Sequence, residues 1–129
     1  MASIFTKIST GDIPGEIVYS DERVFALLDI NPKADGHTLV VPRTEVPSFN
    51  DLPEEDVTAL GLALRTICRG VCQAMGTTDY NLVVNNGASA GQEVPHVHVH
   101  IIPRKPGGGR GDKGRLGEVA DAIRKALGQ

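Results

Sequence analysis

The chain has 129 residues, with 13 basic and 16 acidic side chains and a formal net charge of -3 at pH 7. This length and composition are typical of one soluble domain that folds around its own core without disulfide or metal crosslinks. The acidic balance, together with an aromatic content of 4%, argues against binding to a nucleic-acid polymer, which needs basic fields and stacking surfaces.

The sequence predicts a cytoplasmic protein that does not bind membranes. No stretch reaches the roughly 18 apolar residues of a membrane span, and Lys7, Asp12 and Glu16 interrupt the region where a secretory signal would lie. The two cysteines, Cys68 and Cys72, lie four residues apart in a helix-like stretch. They are expected to be small buried thiols in a reducing compartment.

The first part of the chain predicts three β-strands. Residues 17–19 and 24–28 are apolar or β-branched and flank a turn-like stretch, Ser20–Glu22, so they predict a hairpin. Turn signals then precede a third strand over His37–Val41.

A long amphipathic helix is predicted over Pro53–Met75. Asn50 or Asp51 is positioned to cap its N-terminus, and Gly76 is suited to end it. Its apolar residues recur at alternating steps of three and four, which places them in one stripe that packs on a sheet. The stripe consists of Val57, Leu60, Leu64, Ile67, Val71 and Met75.

The last part of the chain adds two strands and a short helix. Residues 81–85 and His96–Ile102 predict the fourth and fifth strands. A glycine-rich loop at 107–114 then precedes an amphipathic helix over 115–127. Because one long helix alone interrupts the run of strands, we predict a single α+β domain over residues 1–129 with a five-stranded antiparallel sheet. The long helix would cover one face and leave the other for a ligand or a second subunit.

Three histidines alternate with apolar residues in the predicted fifth strand. Side chains on a strand alternate in direction, so His96, His98 and His100 share one face at a spacing of about 6.6 Å, while the residues between them point into the core. The remaining histidine of the chain, His37, begins another predicted strand. We therefore expect all four imidazoles to serve one site.

Two chemistries fit this array. The three alternating imidazoles suit zinc, with Asp29 or Glu93 as a further ligand, although the sequence lacks the acidic cluster that magnesium would need. Alternatively, one imidazole is a nucleophile, because about three-quarters of unperturbed histidine is neutral at pH 7. Crowded imidazoles titrate as a coupled set, so neutral and charged rings are expected to coexist near neutrality.

The segment Asn85–Arg104, NNGASAGQEVPHVHVHIIPR, resembles the signature of the histidine triad (HIT) superfamily, in which His-x-His-x-His is followed by two apolar residues. The likeness covers nearly the whole chain up to Arg104. Asn85 replaces the glutamine of Fhit-type dinucleoside polyphosphate hydrolases, which favours the bacterial Hint-like branch. Other blocks similar to the family in order and spacing are Ser3–Ile8, Ile13–Pro14, Asp29–Pro32 and His37–Pro42.

The resemblance implies a HIT-like fold and hydrolysis or transfer at the α-phosphate of a nucleotide through a covalent nucleotidyl-histidine intermediate. By the motif match, His98 is the nucleophile and His100 contacts the phosphate. His96 and His37 join the polar network that orients the nucleophile and moves protons.

The resemblance also assigns nucleotide-binding residues. Asp29 matches the family's ribose-binding acid, and Asn85 matches a polar residue beside the phosphates. Gln92 and Glu93 lie on the loop that passes the phosphates, and Glu93 stands where Hint-type members have Ser or Thr. The residues that resemble the base pocket are Phe5, Ile8, Ile13, Leu27 and Ile30.

We expect a purine nucleoside phosphoramidase that needs no cofactor and acts as a homodimer, because the family's sheets join across a two-fold axis. Cleavage of dinucleoside polyphosphates, metal binding by the histidine array and a nucleotide-binding scaffold role stay open as alternatives. Some relatives hold a structural zinc with Cys-x-x-Cys near the N-terminus. Ser3 and Thr6 occupy those positions here, so no zinc is expected there.

Overall fold

The computed structural model describes residues 2–129. It contains one five-stranded antiparallel sheet with three α-helices, which confirms the predicted α+β class. The strands are β1 (Ile17–Ser20), β2 (Val24–Leu28), β3 (Thr38–Pro42), β4 (Asp79–Val83) and β5 (Val99–Arg104), and the helices are α1 (Ile4–Ser9), α2 (Glu54–Met75) and α3 (Leu116–Leu127). The spatial order of the strands is β1-β2-β3-β5-β4.

The sheet has an apolar layer on each face. Helices α2 and α3 pack on one face and form the larger core with alternate strand residues such as Val40, Val99 and Ile101. The opposite face carries a second apolar cluster that includes Phe5 of α1. Every residue of β2 and β3 is buried, because both faces of these strands are covered.

Helix α1 is an element that the periodicity does not predict. It spans only six residues, too few for an apolar stripe to stand out from its surroundings. Its start is nevertheless well defined, because the Ser3 hydroxyl accepts a hydrogen bond from the Thr6 amide. The helix places Phe5 over the sheet face that α2 leaves open.

The predicted long helix is present, but its N-terminal cap differs from the prediction. Pro53 occupies the cap position without a side-chain hydrogen bond, whereas Asn50 and Asp51 belong to a preceding 3-10 turn. Gly76 ends the helix in the left-handed conformation, as predicted. In the predicted stripe, Leu60, Ile67 and Val71 are buried, but Val57 is exposed.

The last two strands are shifted relative to the prediction. Strand β4 begins two residues earlier, and β5 begins at Val99 because pairing with β3 starts there. His96 and His98 therefore lie on an extended segment that precedes the ladder. Strand β5 also continues through Pro103, which lies beyond the residues that pair with β3, so no hydrogen bond to that strand is lost.

The glycine-rich segment 107–114 lies against the turn that follows β2. The Gly111 amide donates to the Pro32 carbonyl over 3.1 Å. Farther along, Arg115 forms a salt bridge of 2.5 Å with Asp35. The chain then enters α3 one residue later than predicted. Within residues 2–129, no helix has the length and apolarity that a membrane crossing requires.

We expect Gly36→Ala to destabilise the fold by roughly 1–2 kcal/mol, because Gly36 has a φ of 90° and an added Cβ would lie 2.6 Å from Cγ of Met75. Gly61→Ala is the matched control. Gly61 lies inside α2 with open space around it, so alanine should stabilise the protein by about 0.5–1 kcal/mol. Urea unfolding of both variants measures the difference, and equal effects would contradict this account.

Candidate active site

A cleft of about 680 Å³ opens on the sheet face that carries α1. It brings together three of the four histidines with most of the other predicted site residues. Those that line it are His37, His98, His100, Asp29, Asn85, Glu93, Phe5, Ile8, Leu27 and Ile30. His96, Gln92 and Ile13 do not line it.

The ring of His98 is held in one tautomer by the backbone. Its Nδ1 lies 2.8 Å from the carbonyl oxygen of His96. A carbonyl only accepts hydrogen bonds, so Nδ1 carries a proton, and in the neutral ring the free lone pair is on Nε2. The ring is almost buried and packs against the edge of Phe5, with ring centroids 4.8 Å apart. In its neutral form, His98 therefore presents Nε2 from a fixed position.

His37 and His100 form a hydrogen-bonded pair beside His98. The backbone amide of Lys33 donates to Nδ1 of His37, so the proton of this neutral ring is on Nε2. His37 Nε2 then donates to Nδ1 of His100 over 2.9 Å. This leaves Nε2–H as the remaining donor of His100, whose ring lines the cleft.

Burial keeps these rings neutral. It lowers the pKa of His37, and together with the neighbouring imidazoles His98 and His37 it lowers the pKa of His100 to about 4. The pKa of His96 is also lowered by burial. The expected mixture of neutral and charged rings at pH 7 therefore does not hold for these three histidines, because desolvation outweighs the nearby carboxylates.

His96 is oriented away from the cleft and is fully buried. Its Nε2 donates to the carbonyl oxygen of Pro42 over 2.7 Å, and its Nδ1 accepts from the Ser3 hydroxyl over 2.6 Å. Both ring nitrogens are thus occupied, so the four imidazoles do not converge on one point. The ring anchors the backbone whose carbonyl fixes His98, which makes His96 a positioning residue.

Of the remaining predicted site residues, one lines the cleft and the others lie outside it. Asp29 lies at the end of β2, where Oδ1 accepts from the Asn31 amide and Oδ2 lies 3.5 Å from Nε2 of His37. Gln92 instead supports the loop, since its side chain bonds to the backbone of Gly87, Pro47 and Val94. Ile13 lies on the turn after α1, outside the cleft.

The cleft also contains three basic residues that the sequence analysis did not assign to it: Lys33, Arg104 and Arg110. Arg104 was detectable, because it follows His100 by four residues on the same face of β5. Lys33 and Arg110 lie on loops, and nothing in their local sequence indicates that these loops meet.

The geometry does not favour metal binding by His96, His98 and His100, since His96 has no free nitrogen. The donor atoms that do lie together, within 4.8 Å of one another, belong to Asp29, His37 and His100. In this group the two imidazoles are already joined by their own hydrogen bond. Hydrogen bonding within the protein therefore accounts for the arrangement.

The sequence profile of the HIT domain family matches residues 10–107, and the chain belongs to this family. It is 47% identical over 116 residues to an uncharacterised HIT-like protein of Methanocaldococcus jannaschii, covering 90% of this chain and 88% of that protein. It is 37% identical over 106 residues to the purine nucleoside phosphoramidase of Escherichia coli K12, covering 81% and 88%. A zinc-bound histidine triad family protein of Mycobacterium smegmatis is similar in structure, with a TM-score of 0.88, 34% identity, and coverage of 100% of this chain and 95% of that one.

The residues at positions 3 and 6 do not fit a zinc site of the Cys-x-x-Cys kind. They present neutral hydroxyls, whereas structural zinc is held by thiolates and imidazoles. Both residues are bound to Glu45: the Ser3 amide donates to it over 2.9 Å, and the Thr6 hydroxyl also donates to it. With the bond from Ser3 to His96, a hydrogen-bonded cluster joins α1 to the histidine segment.

The neutral state of His100 predicts a pH dependence of stability. Because the pKa of His100 is about 4 in the folded chain and that of an unperturbed histidine is about 6.5, the unfolded chain takes up a proton first as the pH falls. The effect of His100 on the free energy of unfolding is therefore absent above about pH 6.5. As the pH falls from there to about pH 4, proton uptake by the unfolded chain lowers the free energy of unfolding progressively, by at most about 3 kcal/mol. Urea unfolding across this range should show a smaller loss in His100→Gln than in the parent protein, and equal losses would contradict the proposed neutral ring.

Proposed function

We propose that the protein is a nucleotide hydrolase that acts at the α-phosphate through a nucleotidyl-histidine intermediate, and specifically a cytoplasmic purine nucleoside phosphoramidase. The observation that carries this proposal is the hydrogen bond from His98 Nδ1 to the His96 carbonyl, which places the lone pair of the neutral ring on Nε2, in a residue that lines the cleft. The likeness to the E. coli phosphoramidase supports the substrate class.

The cleft offers a separate environment for each part of a nucleotide. Apolar side chains on α1 and at the end of β2 suit a base, and Asp29 is placed to accept hydrogen bonds from ribose hydroxyls. The phosphoryl group would lie between Nε2 of His98 and Nε2–H of His100. The side chains proposed for the base pocket are Phe5, Ile8, Leu27 and Ile30.

In the first step, the Nε2 lone pair of His98 bonds to phosphorus, and the bond from phosphorus to the leaving amine breaks. The electron pair of that bond stays on the amine nitrogen, which takes a proton from solvent. The imidazole becomes cationic, and its Nδ1–H bond to the His96 carbonyl becomes charge-assisted and stronger. Nε2–H of His100 donates to a phosphoryl oxygen as negative charge develops.

In the second step, a water oxygen bonds to phosphorus and the bond from phosphorus to His98 breaks. Its electrons return to Nε2, and one water proton passes to solvent. Because the pKa of His100 is lowered to about 4, this ring acts in both steps as a neutral hydrogen-bond donor. Nucleophilic catalysis by His98 thus replaces one difficult displacement at phosphorus with two easier ones.

Glu93 favours an amine leaving group over an anionic one. It lines the cleft on the loop that precedes the histidine segment, and its side chain is exposed. A carboxylate there attracts a protonated amine, can accept a hydrogen bond from a neutral one, and repels a phosphate or carboxylate at the same place. This observation supports phosphoramidates over dinucleoside polyphosphates as the substrate.

We expect His98→Ala to lower kcat for adenosine 5′-phosphoramidate by at least about 10³-fold, because it removes the covalent route. Binding of AMP should change by less than about threefold, since the apolar pocket and Asp29 are intact. Single-turnover kinetics and calorimetry measure the two quantities. Mass spectrometry of acid-quenched parent enzyme should detect a nucleotidyl adduct that the variant lacks. Turnover retained in the variant would refute the assignment.

We also propose that the protein is a homodimer joined through β4. This strand is a free edge of the sheet, and all five of its residues are exposed. Tyr80 and Leu82 are 41% and 47% exposed although both are large and apolar. An apolar edge of this kind is typically covered by another chain. A second copy of this chain, related by a two-fold axis, would cover the β4 edge of each subunit with the β4 edge of the other.

Leu82→Glu should convert the dimer to a monomer, because it places a charge in the proposed interface. The matched control is Leu62→Glu on α2, which changes a residue of 57% exposure near Tyr19 and the opposite edge of the sheet. Sedimentation velocity measures the mass of the parent protein and of both variants. A monomeric parent protein, or an unchanged mass for Leu82→Glu, would contradict the proposed interface.

A further inference from the structure

The peptide group between His96 and Val97 contains the carbonyl that orients the His98 ring. This carbonyl accepts from Nδ1 of His98 over 2.8 Å. At the other end of the same peptide group, the Val97 amide donates to the Val46 carbonyl over 2.8 Å. A peptide group is planar, so a hydrogen bond at one end restricts the direction of the other. The segment that follows β3, which contains Val46, therefore helps to aim the carbonyl that sets the tautomer of His98.

The imidazole of His96 connects this arrangement to α1. Its Nε2 donates to the Pro42 carbonyl over 2.7 Å, so Nδ1 of the neutral ring is an acceptor. The Ser3 hydroxyl lies 2.6 Å from this Nδ1 and donates to it. The ring is fully buried, and burial lowers its pKa, so the neutral form is favoured. Ser3 thus supplies the hydrogen bond that a buried acceptor nitrogen requires.

Glu45 joins α1 to the segment that follows β3. Its carboxylate accepts from the Ser3 amide over 2.9 Å and from the Thr6 hydroxyl. These two hydrogen bonds lower the pKa of Glu45, so the carboxylate is ionised at neutral pH. Glu45 directly precedes Val46 in the chain. The first turn of α1 is therefore tied to the residue whose carbonyl holds the Val97 amide.

Three segments of the chain thus meet at one hydrogen-bonded junction, which consists of the side chains of Ser3, Thr6, Glu45 and His96. None of these four side chains lines the cleft. The junction contacts the cleft through the backbone at His96, whose carbonyl holds the ring of His98. An effect of the junction on the reaction would therefore pass through the orientation of that ring.

We propose that Ser3 and Glu45 are positioning residues for the nucleophile of the proposed reaction. The inference rests on the proposed function, since their effect passes through His96 to His98. Without either contact, the His96 carbonyl is free to turn, and the neutral His98 ring can then carry its proton on either nitrogen. Only the tautomer with the proton on Nδ1 has its lone pair on Nε2, the nitrogen proposed to attack phosphorus. Loss of the junction therefore lowers the rate of the reaction.

Ser3→Ala tests the hydrogen bond to His96. We expect kcat for adenosine 5′-phosphoramidate to fall about 10-fold, the effect of one lost hydrogen bond to a buried group. The affinity for AMP, measured by calorimetry, should change by less than about twofold. Helix α1 supplies Phe5 to the cleft, so a helix that had merely loosened would weaken AMP binding as well. Equal losses of kcat and of AMP affinity would overturn the proposal.

Ser9→Ala is the matched control, because it removes a hydroxyl of the same helix that donates to the Thr6 carbonyl, over 2.7 Å. It should leave kcat within about twofold of the parent value. Ser3→Thr keeps a hydroxyl for both the Thr6 amide and the His96 ring, so it should retain at least about half of the parent kcat. Equal losses in Ser3→Ala and Ser9→Ala, or in Ser3→Ala and Ser3→Thr, would contradict the role of Ser3.

Glu45→Ala tests the second contact at an exposed position, where the fold tolerates substitution. It should lower kcat about fivefold without a change in AMP affinity. The effect is smaller than that of Ser3→Ala, because water competes for hydrogen bonds at the surface. Glu45→Gln keeps an oxygen acceptor, so its kcat should stay within about twofold of the parent value. A parent-like kcat in Glu45→Ala would overturn the role of Glu45.

NMR spectroscopy distinguishes failure of the positioning roles from failure of the proposed function, because it needs no turnover. The ¹⁵N shifts of a histidine ring show which nitrogen carries the proton, and at about pH 8 an unperturbed ring is neutral. His98 should carry its proton on Nδ1 in the parent protein and in Ser9→Ala, whereas Ser3→Ala should show both tautomers. If the parent protein hydrolyses no phosphoramidate, the proposed function is refuted, and this comparison still tests the junction. An unchanged His98 tautomer in Ser3→Ala would overturn the proposal whatever the activity.

Discussion

The hydrogen bond between Nδ1 of His98 and the carbonyl of His96 is the contact on which the rest of the site depends. It sets the tautomer of the neutral His98 ring, the proposed nucleophile, and it can form only while the backbone at His96 is held in place. That backbone is secured by a buried imidazole whose two nitrogens reach β3 on one side and α1 on the other. A main-chain oxygen, which cannot be titrated, thus performs the orienting role that a carboxylate has in many hydrolases.

Desolvation gives this site its electrostatic character. Three of the imidazoles are sufficiently buried that their neutral forms are favoured, although a carboxylate lies close to two of them. A neutral ring that donates from Nε2 offers a phosphoryl oxygen a fixed dipole without holding a proton that could be lost to solvent. The cleft is also lined by Lys33, Arg104 and Arg110, so fixed dipoles and full positive charges both contribute to its electrostatic character.

Much of the fold follows from short-range patterns in the sequence. The hairpin, the long helix and its terminal glycine have strong local signals, and the alternation around His98 correctly places Val97 and Val99 in the core. The start of β5 at Val99 could not be predicted, because it depends on pairing with Val40, which is distant in the sequence. Helix α1 escaped detection because six residues are too few to show a period. With that helix missing, the bond from Ser3 that turns His96 away from the cleft could not be foreseen.

The groups proposed for chemistry and the basic residues of the cleft lie on different parts of the fold, and this difference has a consequence for divergence within the family. The groups proposed for chemistry lie on β5 and its approach, where both faces of the sheet restrict change. Lys33 and Arg110 project from surface segments that meet through backbone contacts and a close glycine approach. Exchange of these two exposed side chains would therefore change the charge of the cleft without disturbing the packing of the sheet.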